Sequence, residues 1–355
     1  MFLSRNSRII ITMIEIREIT NSNDYNPLSI DKNASFTQAW FYGEWQEAMG
    51  RKVGRFAILN NSEAVGFFQF IKYLLPFGQN IIYIPHAPLL RSAKRDYEWR
   101  AEFLKTFHDK LVEIAKAENA IFVRFDFFGD EKILDEHFTR VPSYGYRSVY
   151  FQPKYEWVLG INKPESELLN DMSQKGRYDI RLAENKGVTV KIVDSGLCEY
   201  FEDFYGLLSK TAKRNNFSLH PKSYYRNIFA DCEKNKNAFL TLAKYDNKFF
   251  ATHLLLIFGE TAYSIFGGFD DAFKQLRASR LLHWRGIIEA KNRGCKFYNF
   301  GGVSSGDNYE SYKGITEFKK SFGGQVMAHQ DSHDLILKPI WYRLYNLRKW
   351  ASNRK

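Results

Sequence analysis

Two adjacent lysines in the C-terminal third of the chain, Lys319 and Lys320, combine positive charge with apolar neighbours. They lie between Phe318 and Phe322, and two glycines follow. Apolar walls exclude water from an ammonium group and strengthen its field, while glycine lets a ligand approach the backbone closely. This combination suits a site that holds an anionic or carbonyl-bearing substrate. An amphipathic strand with solvated lysines explains the same residues equally well.

A second basic cluster, formed by Lys175, Arg177 and Arg181, lies within residues 174–184. Pro164 with acidic residues beside it is a favourable helix start, and the basic segment is predicted to continue that helix. Cationic side chains that are close together on a short segment could hold phosphate groups. A solvated helix face is the alternative, and the spacing alone favours it.

Residues that ligate metals or act as nucleophiles show no recognisable pattern. His329 and His333 are four residues apart, but their stretch is polar and has no Cys or third His nearby. We therefore interpret them as surface residues rather than metal ligands. The chain has no P-loop, no GxGxxG motif after a strand and no HExxH motif, and no Ser or Cys has the context of a nucleophile elbow. The cysteines are widely spaced and fit reduced, mostly buried thiols.

The overall charge of the chain is strongly positive. It has 355 residues, a net charge of +11 and 17% aromatic residues, and its length is sufficient for two domains. Excess positive charge favours nucleic acid, phosphorylated metabolites or an acidic membrane surface as partners. No apolar run approaches the ~20 residues that span a bilayer, and the initial apolar run is too short for a signal peptide. We expect a cytoplasmic protein, with Met13 as an alternative start to Met1.

The elements that must position these residues are predicted to form the same order twice. In each half a hairpin of two strands precedes a third strand, a long helix and a fourth strand. In the first half these elements are residues 55–59, 64–71, 81–84, 96–118 and 120–126. In the second half they are residues 239–245, 249–257, 261–266, 279–292 and 295–300.

Hairpin, strand, helix, strand is the order of a GNAT-like N-acyltransferase core. The sequence thus predicts an α/β (α+β) fold with two tandem GNAT-like domains, each with a mixed central sheet flanked by helices. We place one domain at residues 1–153 plus 331–355 and the other at 154–330. A coenzyme A-dependent enzyme of this type needs a Gly-rich loop before its long helix to hold the pyrophosphate. Residues 273–279 contain no glycine, so coenzyme A is disfavoured.

Over nearly its full length the chain resembles the FemABX family of peptidoglycan bridge-forming aminoacyltransferases. The resemblance depends on the order and spacing of short segments more than on any one of them. These segments are residues 36–46, 83–88, 123–126, 152–153, 172–183, 211–214, 220–225, 281–284 and 314–324. The resemblance implies a tandem GNAT-like fold and transfer of an amino acid from aminoacyl-tRNA to an amine of the precursor stem peptide, without metal or coenzyme A.

The resemblance also implies roles for individual residues. Lys319 matches a lysine that follows an aromatic residue in the family, and we expect it to stabilise the tRNA end or the oxyanion of the tetrahedral intermediate. Phe318 would pack against the adenosine or the aminoacyl group. Asp126 matches an acidic position proposed as a base, with proton transfer by the substrate's own groups as the alternative.

Precursor binding is implied for Tyr224, which matches a precursor-binding tyrosine of the family. His220 stands where the best-known member of the family has an arginine, and Glu44 falls near where that member has a binding lysine, so this chain departs from that member at both positions. These departures suggest another subfamily or another carrier form, such as a lipid-linked precursor. Only residues 225–236 are available for the long helical hairpin of many members, so no long coiled-coil arm is expected.

The expected partners are aminoacyl-tRNA and a nucleotide- or lipid-linked peptidoglycan precursor, bound by a monomeric protein. The basic, aromatic tail at residues 338–355 is predicted to form a helix docked on the first domain. Peripheral contact of this tail with the inner face of the cell membrane is an additional hypothesis. Two alternative functions are an acyl-CoA-dependent GNAT-type N-acyltransferase and a non-catalytic protein that binds nucleic acid or precursor.

Overall fold

A computed structural model of the protein describes residues 13–91, 97–126, 138–141, 151–304 and 310–352, and all structural statements concern these residues. The chain divides into two compact units. The first unit comprises the described residues within Met1–Asp31, Lys52–Pro142 and Asp331–Lys355. The second unit comprises Lys32–Arg51 and Ser143–Gln330.

The segment 32–51 groups with the second unit, whereas the sequence-based boundaries assigned it to the first domain. The reason is a set of aromatic contacts that sequence order does not reveal. The ring of Phe36 lies 5.0 Å from that of Tyr263, and the ring of Phe41 lies 5.8 Å from that of Phe258.

The first unit is built on a mixed sheet that the described residues show with eight strands. Its strands are β1 (Ile14–Glu18), β2 (Val53–Asn60), β3 (Glu63–Leu74), β4 (Asn80–Ile84), β5 (Leu89–Leu90), β6 (Ala120–Asp126), β7 (Thr139–Arg140) and β15 (Ser332–Ile336). Its helices are α2 (Tyr97–Ala117) and α9 (Pro339–Ser352). The strand order is β1-β2-β3-β4-β6-β15-β7, with β5 paired to β3, and β4 and β6 are parallel.

Aromatic side chains of α2 form much of the first core. Trp99, Phe103, Phe107 and Leu111 recur every four residues and are buried, because one face of a helix meets the sheet at that spacing. The ring of Phe107 packs edge-on against Phe68 of β3 at 5.5 Å. The helix was predicted from this periodicity.

A buried ion pair connects β15 to β6 across the middle of the sheet. Arg124 donates to the carboxylate of Asp334 through Nε at 2.8 Å and through Nη2 at 2.7 Å. Both side chains are almost completely buried, and the carboxylate raises the pKa of Arg124 against the opposing effect of its burial. The pair thus helps to hold the C-terminal strand β15 in the sheet of the first unit.

The second unit repeats the plan around another mixed sheet, with seven strands among the described residues. Its strands are β8 (Tyr155–Gly160), β9 (Thr189–Val193), β10 (Ala238–Tyr245), β11 (Lys248–Phe258), β12 (Thr261–Phe269), β13 (Phe297–Gly302) and β14 (Gln325–Ala328). Its helices are α1 (Trp40–Glu47), α3 (Glu165–Asp171), α4 (Gln174–Asn185), α5 (Phe201–Asn215), α6 (Lys222–Asn235), α7 (Ser279–Asn292) and α8 (Glu310–Lys320). The strand order is β14-β8-β13-β12-β11-β10-β9.

The two units share one connection that defines the fold. In the first unit, α2 joins the parallel strands β4 and β6, and in the second unit α7 joins the parallel strands β12 and β13. In both, an antiparallel hairpin precedes the parallel pair. The predicted fold class, a tandem of GNAT-like α/β units without a long coiled-coil arm in the described part of the chain, is confirmed.

One predicted helix is two helices. We expected residues 164–184 to be continuous, but Met172 is extended, with ψ of 147°, and separates α3 from α4. The Ser173 side chain then caps α4 by accepting a hydrogen bond from the Gly176 amide at 3.0 Å. Serine favours this position because its oxygen satisfies a free N–H group in the first helical turn.

The predicted docking of the C-terminal tail on the first domain is confirmed. Tyr342 and Tyr345 of α9 pack against Phe122 of β6 with ring centroids 5.2 and 5.1 Å apart. The Tyr342 hydroxyl also donates to Asp334 at 2.8 Å. No helix within the described ranges is long and apolar enough to cross a membrane.

Candidate active site

A cavity of about 480 Å³ opens in the second unit where β12 and β13 stop pairing. The parallel ladder covers only Thr261–Tyr263 opposite Phe297–Asn299, although both strands continue further along the chain. Residues beyond the last paired positions line the cavity, together with side chains of α5, α7, α8 and β11. Because the sheet fixes both strands, the cavity is a permanent part of the fold of this unit.

Lys319 lies on the wall of this cavity, on the helix α8. Its side chain is buried, and Nζ donates to the backbone oxygen of Gly302 at 2.6 Å. Burial lowers the pKa of Lys319 to about 8, with the Glu156 carboxylate acting in the opposite direction. Lys320 is exposed and pairs with Glu317 at 3.2 Å. The interpretation as a strand with two solvated lysines is therefore wrong, since the helix buries one of the two.

Phe318 forms part of the same wall and is half-buried. The guanidinium of Arg280 lies 5.1 Å from the centre of its ring, a cation–π contact. Arg280 is held in turn by Asp179 at 2.7 Å and by the Ser321 hydroxyl at 3.1 Å. The structure thus presents an apolar ring and a buried ammonium side by side, as the sequence predicted for residues 318 and 319.

A polar network behind Lys319 fixes the turn that ends β13. The Gly301 amide donates to Asn299 Oδ1 at 2.7 Å, and Gly301 has φ of +74°, which favours glycine. Asn299 donates to Glu156 at 3.1 Å, and Glu156 is also hydrogen-bonded to His329 at 2.8 Å. These contacts hold the chain next to Gly302, whose carbonyl receives the lysine.

The prediction that His329 and His333 are surface residues is wrong. His329 is buried against Glu156, and His333 is fully buried on β15. Polar sequence neighbours do not reveal this burial. His333 is buried because β15 inserts between β6 and β7 in the first sheet, and His329 is buried beside Glu156 of β8. No group of three or more potential metal ligands occurs in the described part of the chain.

Sequence reasoning missed a group of polar residues at the cavity. His253, Ser264 and His283 line it, and Tyr298 contacts His283. His253 Nε2 lies 2.9 Å from the Ser264 hydroxyl, and His283 Nδ1 lies 3.1 Å from the Tyr298 hydroxyl. The two imidazole rings pack edge-on, 4.0 Å apart. His283 stands inside the segment 281–284 that carried the family resemblance, which was the available signal.

Both imidazoles are neutral at pH 7. Burial, and next the charge of Lys319, lowers the pKa of His253 to about 4. The pKa of His283 is well below its ordinary value, chiefly because of burial and then because of His253, Lys319 and Arg280. The cavity wall thus has two uncharged imidazoles close to the ammonium of Lys319.

Asp126 lies in the first unit, at the end of β6, and is buried. Its carboxylate accepts hydrogen bonds from the Tyr83 hydroxyl and, at 2.6 Å, from the Ser332 hydroxyl. Both partners come from the same sheet, so the carboxylate is held rigidly. Its role as a base stays a prediction.

The predicted precursor-binding residues lie around the contact between α1 and α6. The rings of His220 and Tyr224 are 4.5 Å apart, and the pKa of His220 is lowered by burial and then by Arg51. Glu44 accepts a hydrogen bond from Trp40 at 3.3 Å. His220 and Tyr224 are thus neighbours, while Glu44 is placed on a different helix.

Most side chains of the predicted phosphate-binding cluster on α4 make contacts within the protein. Arg177 donates to the backbone oxygens of Leu169 and Asn170 at 3.2 Å, and to that of Met172, at the end of α3. Lys175 lies 3.5 Å from Asp179. Arg181 is exposed, and no ion pair of its side chain is found in the described residues. The geometry favours the structural alternative for Lys175 and Arg177.

Two repeats of a hairpin, strand, helix and parallel strand, with a cavity where the second parallel pair separates, define the tandem GNAT-type class of fold. A sequence model of the FemAB family matches residues 143–254 and 245–349, and the chain belongs to this family. The family resemblance predicted from the sequence is confirmed.

Similar proteins and solved structures accord with this assignment. A lipid II:glycine glycyltransferase of Staphylococcus aureus is 21% identical over 408 residues, covering 93% of this chain and 95% of that protein. The crystal structure of FemX superimposes with a TM-score of 0.80 at 21% identity, covering 93% of this chain and 99% of that one. A tandem GNAT protein from the clavulanic acid biosynthesis pathway gives a TM-score of 0.54 at 11% identity, covering 91% and 98%.

Proposed function

We propose that this protein is an aminoacyltransferase that attaches an amino acid to an amine on the stem peptide of a peptidoglycan precursor. The observation that carries the proposal is the buried ammonium of Lys319 on the wall of the second-unit cavity. A lipid II:glycine glycyltransferase with 95% of its length covered supports the choice of acceptor. The donor in the proposal is aminoacyl-tRNA, and neither metal nor coenzyme A takes part.

The proposed reaction is the aminolysis of an activated ester. The deprotonated acceptor amine attacks the ester carbonyl, and a C–N bond forms while the carbonyl oxygen becomes negatively charged. The intermediate collapses when the C–O bond to the ribose breaks, and the ribose oxygen takes up a proton released by the amine. A fixed positive charge near the carbonyl oxygen lowers the energy of this intermediate, which is the role proposed for Lys319, with Phe318 packing against the aminoacyl or adenosine group.

The test of this function is a mass-spectrometric assay of the stem peptide. The protein is incubated with a mixed aminoacyl-tRNA pool and with nucleotide-linked or lipid-linked precursor in separate reactions. We expect the peptide mass to increase by one or more amino acid residues, and only when charged tRNA is present. Transfer from acetyl-CoA in place of charged tRNA would instead support the N-acyltransferase alternative, and an unchanged peptide in all reactions would refute an enzymatic role.

Binding of tRNA is expected to depend strongly on salt. The chain has a net charge of +11, and cationic side chains that contact phosphates release counterions on binding. Raising NaCl from 50 to 200 mM should weaken tRNA binding by at least about tenfold in a filter-binding titration. Equal affinities at both concentrations would contradict binding through the phosphate backbone.

The outward face of α9 supports contact with the membrane that carries a lipid-linked acceptor. Ile340, Leu344 and Leu347 lie on the same side of the helix and are 76%, 50% and 60% exposed. Exposed Arg343 and Arg348 flank them. An apolar stripe bordered by cations is typical of helices that lie in the interface of an anionic bilayer.

We expect the triple change of Ile340, Leu344 and Leu347 to Gln to abolish sedimentation with vesicles that contain anionic phospholipid. The tyrosines that dock α9 are not altered, so the thermal melt should stay near that of the wild type. A matched change to Gln at Met327, which is 40% exposed on β14 of the second unit, measures the effect of removing a single exposed apolar side chain away from α9. Unchanged sedimentation of the triple variant would remove the membrane contact from the proposal.

A further inference from the structure

The cavity region contains two hydrogen-bonded pairs of side chains that the proposed reaction does not yet use. His253 Nε2 pairs with the Ser264 hydroxyl at 2.9 Å, and the Tyr298 hydroxyl pairs with His283 Nδ1 at 3.1 Å. Tyr298 is fully buried, and His283 Nδ1 is the hydrogen-bond partner found for its hydroxyl group among the described residues. Each imidazole therefore has one hydroxyl group as its partner.

The buried hydroxyl of Tyr298 determines which ring nitrogen of His283 is protonated. A neutral imidazole has one N–H group and one acceptor nitrogen. If Nδ1 carried the proton, it would donate to the Tyr298 oxygen and leave the hydroxyl proton buried without an acceptor, which is costly. With the proton on Nε2, Nδ1 accepts the hydrogen bond from Tyr298 and both groups are satisfied.

The other ring nitrogen of His283, Nε2, has no hydrogen-bond partner among the described residues. His283 lines the cavity. The proton is therefore favoured on His283 Nε2, where a ligand in the cavity can accept it.

Among the described residues, the charged and titratable groups that act on His283 all oppose a positive charge on this imidazole. Burial is the main reason why the pKa of His283 lies well below its ordinary value, and His253 of β11, Lys319 of α8 and Arg280 of α7 act in the same direction. Tyr298 of β13 is fully buried and contributes only its hydroxyl. His283 thus offers a neutral N–H donor at pH 7.

We propose that His283 Nε2–H donates a hydrogen bond to the ester carbonyl oxygen of the aminoacyl donor, next to the ammonium of Lys319. This inference rests on the proposed function and adds a second donor to the same site. The hydrogen bond strengthens as the C–N bond forms and negative charge collects on the oxygen, and no proton leaves His283. Tyr298 is a positioning residue, because it fixes the tautomer of His283 without touching the aminoacyl donor.

Nitrogen-15 NMR of histidine-labelled protein tests the tautomer without any substrate. We expect His283 to remain neutral from pH 5.5 to pH 8 and to carry its proton on Nε2, with signals assigned through the variants His283→Gln and His253→Gln. In Tyr298→Phe the hydroxyl partner of Nδ1 is removed, so a population protonated on Nδ1 should appear. A wild-type His283 that is protonated on Nδ1, or that titrates near its ordinary pKa, would overturn the proposal whether or not the protein transfers amino acids.

A kinetic comparison distinguishes a hydrogen-bond donor role of His283 from a purely structural role of its ring. His283→Leu should lower kcat by about a hundredfold, the typical cost of losing one oxyanion donor, while KM changes little. His283→Gln retains an N–H group at a similar distance from the backbone and should stay within about threefold of the wild type. Wild-type kcat in a folded His283→Leu variant would refute the donor role, and if that variant fails to fold, the NMR result on the wild type decides.

Discussion

Replacing Lys319 with methionine is expected to lower kcat for amino acid transfer by about a hundredfold or more, because one fixed charge beside a developing oxyanion contributes a factor of this order. The substitution removes the ammonium but fills most of the same buried space, next to Phe318 and the Gly302 carbonyl. Single-turnover transfer to a stem-peptide precursor measures the effect directly. The thermal melt should stay near that of the wild type.

The neighbouring residue provides a matched control for this substitution. Lys320 belongs to the same helix but is exposed and pairs with Glu317 on the surface. Lys320→Met therefore removes the same charge and the same number of atoms, and we expect wild-type kcat. Equal losses in both variants would mean that total charge on α8, rather than the buried ammonium, supports transfer.

The low pKa of Lys319 gives the reaction a characteristic pH dependence. Burial lowers this pKa to about 8, so the fraction of protonated Lys319 falls as the pH rises through that value. The part of the rate that depends on the ammonium should fall above pH 8, although deprotonation of the acceptor amine acts in the opposite direction. In Lys319→Met this decline should be missing from the single-turnover pH profile, and a decline that persists would assign it to another group.

Removing the carboxylate of Asp334 is expected to destabilise the first unit by about 3–5 kcal/mol, the usual cost of leaving a buried charge without its partner. In Asp334→Ala the guanidinium of Arg124 stays buried between the strands without the two hydrogen bonds that it now makes. Tyr342 also loses its acceptor, which weakens the docking of α9. Urea unfolding followed by circular dichroism measures the change in the free energy of unfolding.

Two further variants show whether burial is the cause. The exposed pair of Arg17 and Glu15 provides a surface comparison, and Glu15→Ala should leave the unfolding midpoint unchanged, because exposed pairs contribute little. The double variant Arg124→Met, Asp334→Leu removes both charges and should recover most of the lost stability. A double variant as unstable as Asp334→Ala alone would contradict an origin in the unpaired charge.

The sequence was sufficient for the repeated plan of the fold because that plan depends on local patterns. The spacing of Trp99, Phe103, Phe107 and Leu111 identified α2, and apolar runs bounded by turns identified the strands that flank it. The break between α3 and α4 was missed because Ser173 acts as a cap only once the preceding residue is extended.

Residues of the site were predictable only where their sequence neighbours indicate their environment. Lys319 has aromatic residues on both sides, so its desolvation could be foreseen. His253 and His283 are 30 positions apart, and only the packing of α7 on β11 brings their rings within 4.0 Å. The burial of His329 likewise depends on Glu156, a distant residue of β8.

The measurement that tests the central claim most directly is photo-crosslinking of a tRNA acceptor-stem analogue that carries a photoreactive aminoacyl group through a non-hydrolysable amide. We predict that the label attaches to the walls of the second-unit cavity, in peptides that contain Phe318 or the segment 264–269. Competition by uncharged acceptor stem should reduce this labelling. Labels found only on the first unit, or attached equally well to the folded and the urea-unfolded protein, would contradict a cavity in which Lys319 receives the activated ester.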